Sequence, residues 1–551
     1  MKIGILTMPT PFFFGPYAKQ SLVIAEIFIK THDIYFISNS FTHYEGAEYA
    51  NLISLDQVKK IEYDEGVYNA NKTILDKMKY VSMYGPIKDV LCVSSINNCI
   101  DKFNLDKIIT LLDLLRIIVN VNTFNCEIIS WFPNHYEPID NSSLYVLRMV
   151  NKIVSLSNEG GRVIKDRLPH KIVKTIPHVI NIEVPTKPIS KIREEYNIPS
   201  DKFLVCIVGG NYDINNRRSL DTSIMAFEKF YKQNNKAFLY IQSFTFNGLN
   251  FVNDLHRIIS YLDIPIDSFI INQTKVEYNK ILEIYKMSDI CVFGSRSEGF
   301  GVPNIEAQLC GASVITNGFG ALKDYTYNGI CVPYLQQHYD HIADGIWSMP
   351  SIQGISDAMM ELYKNPLSQT DKDINIKKIK SHMGIDRVGQ LFNNILNIET
   401  QSQELIEIII RVKNNTAIDL TQYIKVNIDT YKKIKRNRLI ASTHTHYNYK
   451  EILGQIRAPL VLMIDMNCNV IDSWLDLLPT ICAQEVIKPC IVLKTEYPLE
   501  NSLTPEEKIF ILVESKHLYK MKELNHKNIV KMIVQLGVPI KMTEELVNFY
   551  K

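Results

Sequence analysis

Residues Gly294–Ile315 read GSRSEGFGVPNIEAQLCGASVI. The apolar run Asp289–Phe293 before them fits a buried strand, and Ala312–Thr316 fits the next one. Between the two, a glycine-rich turn leads to Pro303, a residue suited to the first position of a helix because its missing N–H would be unsatisfied there anyway. The helix expected over Pro303–Cys310 stops at Gly311. Glu298 therefore falls on the loop at the carboxyl end of a strand, and Glu306 about one turn into the helix that follows. In open α/β sheets that edge is where ligands bind.

The start of such a helix offers unpaired N–H groups and a partial positive charge, and Gly299 and Gly301 let the backbone come close to a ligand. This is a seat for an anion such as a diphosphate. The flanking carboxylates can only accept hydrogen bonds, so they suit hydroxyl groups on either side of it. A diphosphate with a sugar at each end is a nucleotide sugar. The bland alternative is a structural strand–loop–helix with two surface glutamates.

Outward from this segment the chain alternates strands and helices. A strand at the start, the helical pattern Tyr17–Thr31 and a strand in His32–Ser40 make a parallel β-α-β opening. Further strands are expected in Cys126–Pro138, Asn151–Ser157 and Lys171–Asn181, which gives a first α/β domain over 1–180. The proline-punctuated polar stretch Val179–Lys202 reads as a connection. A second α/β domain, 181–397, opens with strand, Gly209-Gly210, polar loop and helix, and continues through Ala237–Phe244, Ser268–Gln273, the helix Tyr278–Met287 and the segment quoted above. A helix over Ile385–Ile398 can pack back on either domain. Strand patterns at Glu404–Lys413, Arg438–His444, Ala458–Asn467 and Lys488–Glu496, with a helix over Ser473–Ile487, give a smaller α/β domain over 400–551.

Residues 294–315 resemble the signature of the GT-B fold glycosyltransferases of retaining family four, two glutamates eight positions apart around G-F-G-[LV]-P. The resemblance covers about residues 1–397 and implies two facing Rossmann-like domains. It also implies that Glu298 meets the hydroxyls of the transferred sugar, that Glu306 meets the ribose, and that backbone amides near Gly299, Phe300, Gly301 and Val302 meet the donor's phosphate or sugar. The family has an Arg–Lys pair at the opening of its second domain, where cations neutralise the departing diphosphate. Arg217 and Arg218 stand there, an arginine replacing the lysine. His135 occupies a loop that faces the donor sugar in the family, although a histidine in such a turn is as often an ordinary surface residue. His178, in the segment that resembles the family's exit from its first domain, is read as structural. The N-terminal loop departs from the family, with Gly15-Pro16 in place of a glycine pair and three phenylalanines, Phe12–Phe14, for which burial is the simpler account.

The whole-chain composition agrees with a folded protein. The 551 residues carry 60 Lys plus Arg against 59 Asp plus Glu, a net charge of +1, which argues against general nucleic-acid binding. Ten cysteines are scattered without a CxxC pair, which suits a reducing compartment and no structural zinc. No cleavable leader is evident, and the apolar run Lys107–Val121 holds Asp113 and Arg116 and is too short to span a bilayer. The expectation is a cytoplasmic, retaining, metal-independent glycosyltransferase that uses no cofactor beyond a nucleotide-sugar donor. Its acceptor would be a glycan, a lipid-linked molecule or another hydroxyl compound, with contact at a membrane surface left open. The competing expectation is a catalytically silent sugar-nucleotide-binding or scaffolding subunit. In 400–551, Asp465-Met466-Asn467 faintly echoes the Asp-x-Asp of GT-A enzymes, and with its second aspartate replaced it is too thin for a metal site, so an accessory domain is expected.

Overall fold

The structure is a computed structural model. It describes residues 1–398, apart from 14, 42–49, 84–90, 120, 122–123, 170, 214, 245–252 and 341–344, together with five strands between 406 and 514.

Two parallel sheets form the body. The first has eight strands in the order Ile172–Thr175, Lys152–Ser155, Glu127–Phe132, Lys107–Leu111, Lys2–Thr7, Asp33–Ser38, Lys79–Met83 and Ala50–Ile53. Only Ala50–Ile53 runs antiparallel to its neighbour. The second has six parallel strands, Phe269–Asn272, Ala237–Phe244, Phe203–Gly210, Ile290–Phe293, Ser313–Asn317 and Gly329–Val332. The central strands are continuous apolar runs because helices cover both faces, as parallel sheets require. The helix Pro16–Phe28 shows how one face is covered, burying Ala18, Leu22 and Ala25 on one stripe and Ser21, Ile24 and Phe28 beside it.

In each sheet the strand order reverses once beside the first strand. In the second sheet this happens between Phe203–Gly210 and Ile290–Phe293, and in the first between Lys2–Thr7 and Lys107–Leu111. The crevice at such a reversal is left open by helices that diverge to opposite faces, so a ligand can enter there.

The connection expected over Val179–Lys202 contains a short helix of its own, Ile189–Glu195, started after Pro188. A hairpin that the sequence analysis did not pick out, Gln336–Asp340 paired antiparallel with Gly345–Met349, projects from the second half. The helix Ile385–Leu396 returns to the first sheet, where Phe392 meets Trp131 edge-on at 5.0 Å and Phe28 at 6.3 Å. Trp131 is fully buried, and its indole N–H donates to the Ile176 carbonyl at 2.8 Å. The chain thus crosses between the halves twice, near Ile180 and again before Ile385.

Beyond residue 400, strands form a five-stranded sheet in the order Asn437–Ser442, Ile406–Arg411, Leu460–Asp465, Ile509–Glu514 and Cys490–Lys494. The first three are parallel and the last two antiparallel. Ile509–Glu514 is additional to the four strands expected from sequence. Asp465 ends its strand, whereas Met466, Asn467 and the helix expected over Ser473–Ile487 lie outside the described residues.

Because Phe392 fills a site between Trp131 and Phe28, Phe392→Ala should cost about 3–5 kcal/mol of stability, measured by urea unfolding. A loss below about 1 kcal/mol would show that this helix is not part of the first core.

Candidate functional site

The reversal point of the second sheet gathers most of the residues singled out from sequence. One loop follows Phe203–Gly210 and carries Arg217 and Arg218, and the other follows Ile290–Phe293 and carries Glu298. The two are laced together through their backbones. The Arg296 amide donates to the Arg217 carbonyl at 2.8 Å, and Arg217 Nη1 donates to the Ser297 carbonyl at 3.2 Å. The Arg296 side chain adds bonds to Ser219 Oγ at 3.1 Å and to the Asn215 carbonyl at 3.3 Å.

Glu298 is only 7% exposed, and both arginines meet its carboxylate. Arg217 Nη1 lies 3.0 Å from Oε2, and Arg218 Nη1 donates to Oε1. Burial alone would raise the Glu298 pKa, but Arg218 and Arg217 outweigh it and hold the carboxyl at about 2. Burial also works against the Arg217 charge, and Glu298 and Asp213 more than offset that.

Glu306 sits in a different environment. It is buried on the helix Val302–Leu309, and among the described residues no cation is in direct contact with it. The Tyr278 hydroxyl donates to its Oε1. Burial pushes the Glu306 carboxyl up to about 7, although Tyr278 and the more distant Lys19 pull the other way. Lys19, from the first half, lies 5.1 Å over the Tyr278 ring. The two glutamates of the signature therefore differ in charge state near neutrality, one fixed as an anion and one poised.

The turn between them has the geometry of an anion seat. Gly301 caps the helix at φ +91°, a left-handed conformation that strongly favours glycine. The helix begins at Val302, so Pro303 takes its second position and not the first as expected. Among the described residues, the amides of Gly299, Phe300, Gly301 and Val302 donate to no protein acceptor. The Phe300 ring belongs to the core, 4.9 Å from His178 and 4.6 Å from Tyr325, so the backbone there is what a ligand can use. His178 is itself buried and meets Trp131 edge-on at 4.8 Å, and burial drives its pKa down to about 3. It is a neutral packing residue.

The first half supplies the opposite wall. A Cβ added at Gly299 would stand 2.7 Å from Pro133 Cβ and 3.2 Å from His135 Cε1, so the loop after Glu127–Phe132 presses directly on the signature turn. The Ser297 hydroxyl donates to the His135 carbonyl. His135 Nε2 lies 3.6 Å from Asp113 Oδ1, the same oxygen that accepts from the Tyr17 hydroxyl at 2.9 Å. Burial raises the Asp113 pKa, and the bonds from His135 and Tyr17 reverse that, holding it below its ordinary value.

All nine residues expected from sequence thus lie in the two loops around this crevice, in the helix that follows or, for His135, on the facing wall. Asp113, Tyr17, Tyr278 and Lys19 were not identified as site residues. Asp113 had left a signal, a lone carboxylate just past the apolar strand Lys107–Leu111 at the first sheet's own reversal point. In the N-terminal loop Phe12 is buried as expected and Phe13 is 40% exposed, while Phe14 lies outside the described residues. No helix among the described residues is long and apolar enough to cross a membrane.

The state of Glu306 has a pH signature. Below about pH 4.5 its carboxyl is neutral in both folded and unfolded chains. Between that value and about 7, the unfolded chain releases the proton while the folded chain keeps it. Stability from this group therefore falls as pH rises through that window and is level above it. Glu306→Gln removes the effect, so its melting temperature should gain on the wild type between about pH 5 and pH 8. A difference that stays constant with pH would contradict a buried neutral carboxyl.

Residues 188–379 match the family described as Glycosyl transferases group 1. No curated protein matches the chain. Among solved structures, it is similar to Anabaena Alr3699/HepE in complex with UDP and glucose, with a TM-score of 0.50 at 13% identity over 72% of this chain and 99% of that one. It also matches a sucrose-phosphate synthase from Thermosynechococcus elongatus, with a TM-score of 0.49 at 13% identity over 72% of this chain and 98% of that one. A glycosyltransferase from Rickettsia africae matches with a TM-score of 0.48 at 15% identity, over 71% and 97%. At these identities the first likeness speaks for the fold, and the family match speaks for the segment that holds Glu298 and Glu306. The chain has a GT-B-like fold of two Rossmann-like halves, and its residues 188–379 match the family of glycosyl transferases group 1.

Proposed function

We propose that this protein moves a sugar from a nucleotide-diphosphate sugar to a hydroxyl acceptor with retention of anomeric configuration, without a metal ion or other cofactor. The observation that carries this reading is the contrast between the two glutamates on either side of one run of free amides. Glu298 is a permanent anion held between two arginines, and Glu306 is a poised acceptor beside a tyrosine. In this reading the diphosphate lies against the amides of Gly299–Val302 and the start of the helix. Glu306 accepts from the ribose, and Glu298 from the transferred sugar. The complex of the Anabaena protein with UDP and glucose supports a donor of this class.

The reaction breaks the bond between the anomeric carbon and the diphosphate oxygen, and forms one from the acceptor hydroxyl oxygen to the same face of that carbon. The acceptor's proton passes to the departing phosphate oxygen, so no protein nucleophile is needed. The electrostatic demand is on the leaving diphosphate. Arg217 and Arg218 answer it, by exchanging part of their contact with Glu298 for contact with the phosphates. Their charge takes the place that a divalent cation holds in metal-dependent transferases. His135, on the facing wall and steadied by Asp113, bonds a hydroxyl of the transferred sugar. The acceptor, a glycan, a lipid-linked molecule or another hydroxyl compound, enters from the side of the first sheet.

A melting-temperature panel with UDP-, GDP-, ADP- and dTDP-sugars tests the donor site. A ligand at about 100 times its Kd stabilises the folded chain by roughly 2.7 kcal/mol, so one base family should raise the melting temperature, and Glu306→Ala should abolish the rise. No shift with any of them at millimolar concentration would sink the donor assignment. A shift without any release of nucleotide when acceptors are supplied would favour a silent binding subunit.

A further inference from the structure

The hairpin Gln336–Asp340/Gly345–Met349 is bolted to the second half at its base and grips the first half with its side chains. At the base, Ser348 Oγ donates to the Arg296 carbonyl at 2.6 Å and accepts from Asn317 Nδ2 at 2.6 Å. Asp340 accepts from Asn215 Nδ2 at 2.8 Å, which ties the hairpin to the loop of Arg217 and Arg218. What it grips is Tyr136, the residue next to His135. The Tyr136 ring stacks on Trp347 with centroids 5.6 Å apart and planes 6° from parallel, and its hydroxyl donates to Asp340 Oδ2 at 3.2 Å. The Glu137 amide donates to the Ile346 carbonyl at 3.2 Å. Gly345 is needed for this fit, since a Cβ there would come within 2.2 Å of the Tyr136 ring. The Trp347 indole N–H is buried and has no acceptor among the described residues, so the side chain contributes its ring face and not a polar anchor.

We propose that Tyr136 is a positioning residue for the transfer reaction, seated by Trp347 and Asp340 so that His135 is held at a fixed place over the Glu298 loop. The backbone around His135 leaves it little freedom once Tyr136 is seated. Asn134 Nδ2 donates to the Tyr136 carbonyl at 3.0 Å, and the Tyr136 amide donates back to Asn134 Oδ1 at 3.2 Å, closing a small ring around His135. Ser297 holds the His135 carbonyl from the other half. The loop that carries His135 is therefore referenced to the donor side of the crevice through the hairpin, and not only to its own sheet. Misplacing a catalytic group by about 1 Å can cost roughly a hundredfold in rate. This inference rests on the assignment of His135 to the transferred sugar.

The test uses the full chain as wild type, Trp347→Ala, Trp347→Phe and Tyr136→Phe, with the sugar nucleotide from UDP-glucose, GDP-mannose, ADP-glucose and dTDP-glucose that shifts the wild-type melting temperature most. Trp347→Ala should lower kcat for nucleotide release by about tenfold or more with KM within about threefold, and Trp347→Phe, which keeps a ring face, should recover most of the loss. Tyr136→Phe should fall between them. In ring-labelled histidine NMR spectra, with the His135 resonance assigned by its loss in His135→Gln, Trp347→Ala should move that resonance and Trp347→Phe should leave it near its wild-type place. An unmoved His135 resonance in Trp347→Ala overturns the proposal, whatever the turnover. So does an unchanged kcat, or a fall in kcat and melting temperature that phenylalanine does not rescue. A wild-type chain that turns over no sugar nucleotide sinks the transferase reading separately, because the histidine spectra still decide whether the hairpin places His135.

Discussion

A carboxylate removed from water must find positive partners, and Glu298 has two. Breaking such a buried pair by removing one member leaves an uncompensated charge, typically at a cost of about 3–5 kcal/mol. That constraint fixes more than one side chain. To bring Arg217 and Arg218 onto Glu298, the loop after Phe203–Gly210 must lie along the loop after Ile290–Phe293, and the backbone bond from Arg296 to Arg217 records that alignment. The turn from Glu298 to Gly301 then ends with its amides unspent, at the start of a helix whose partial positive charge adds to theirs. An anion placed there meets charge, dipole and hydrogen-bond donors at once.

The second constraint is the close approach at Gly299. With only hydrogen on its Cα, the signature turn can touch Pro133 and His135, so the reversal points of the two sheets face each other across a narrow gap. Tyr17, Asp113 and His135 line one side, and Arg217, Arg218 and Glu298 the other. An aromatic column supports the contact from below, running from Phe392 through Trp131 and His178 to Phe300 and Tyr325. It joins the helix that returns at residue 385 to the turn that carries Glu298 and Gly301. The packing that holds the halves together is thus continuous with the packing that shapes the site.

Much of this was legible in the sequence, and the exceptions have physical causes. Glycine, proline and helix-stop chemistry in Gly294–Ile315 located both glutamates on the right elements, because each signal is local. The hairpin of 336–349 left no such mark. Gln336, Gln337, His338 and Tyr339 are exposed and the buried residue that ends the strand is the polar Asp340, so there is no apolar alternation to read. Asp113 was taken only as a charge that interrupts an apolar run, since its partners Tyr17 and His135 are distant in sequence and meet it through the fold. The pairing of Arg217 and Arg218 with Glu298 was missed for the same reason. Spacing along the chain suggested that cations and carboxylate each await a ligand, and it could not show that they hold one another. Beyond residue 400 the strands were found by their apolar runs, except Ile509–Glu514, whose equally apolar sequence was passed over.

The most direct test of the account is the release of nucleoside diphosphate from a sugar nucleotide by the purified chain, followed for the wild type and for Glu298→Gln. Glutamine keeps the size of the side chain and removes the charge that Arg217 and Arg218 surround. The account predicts slow turnover by the wild type, faster with a suitable hydroxyl acceptor, and a loss of about a hundredfold or more in the variant. Equal release by both proteins, or none by either while sugar nucleotide is bound, would contradict it.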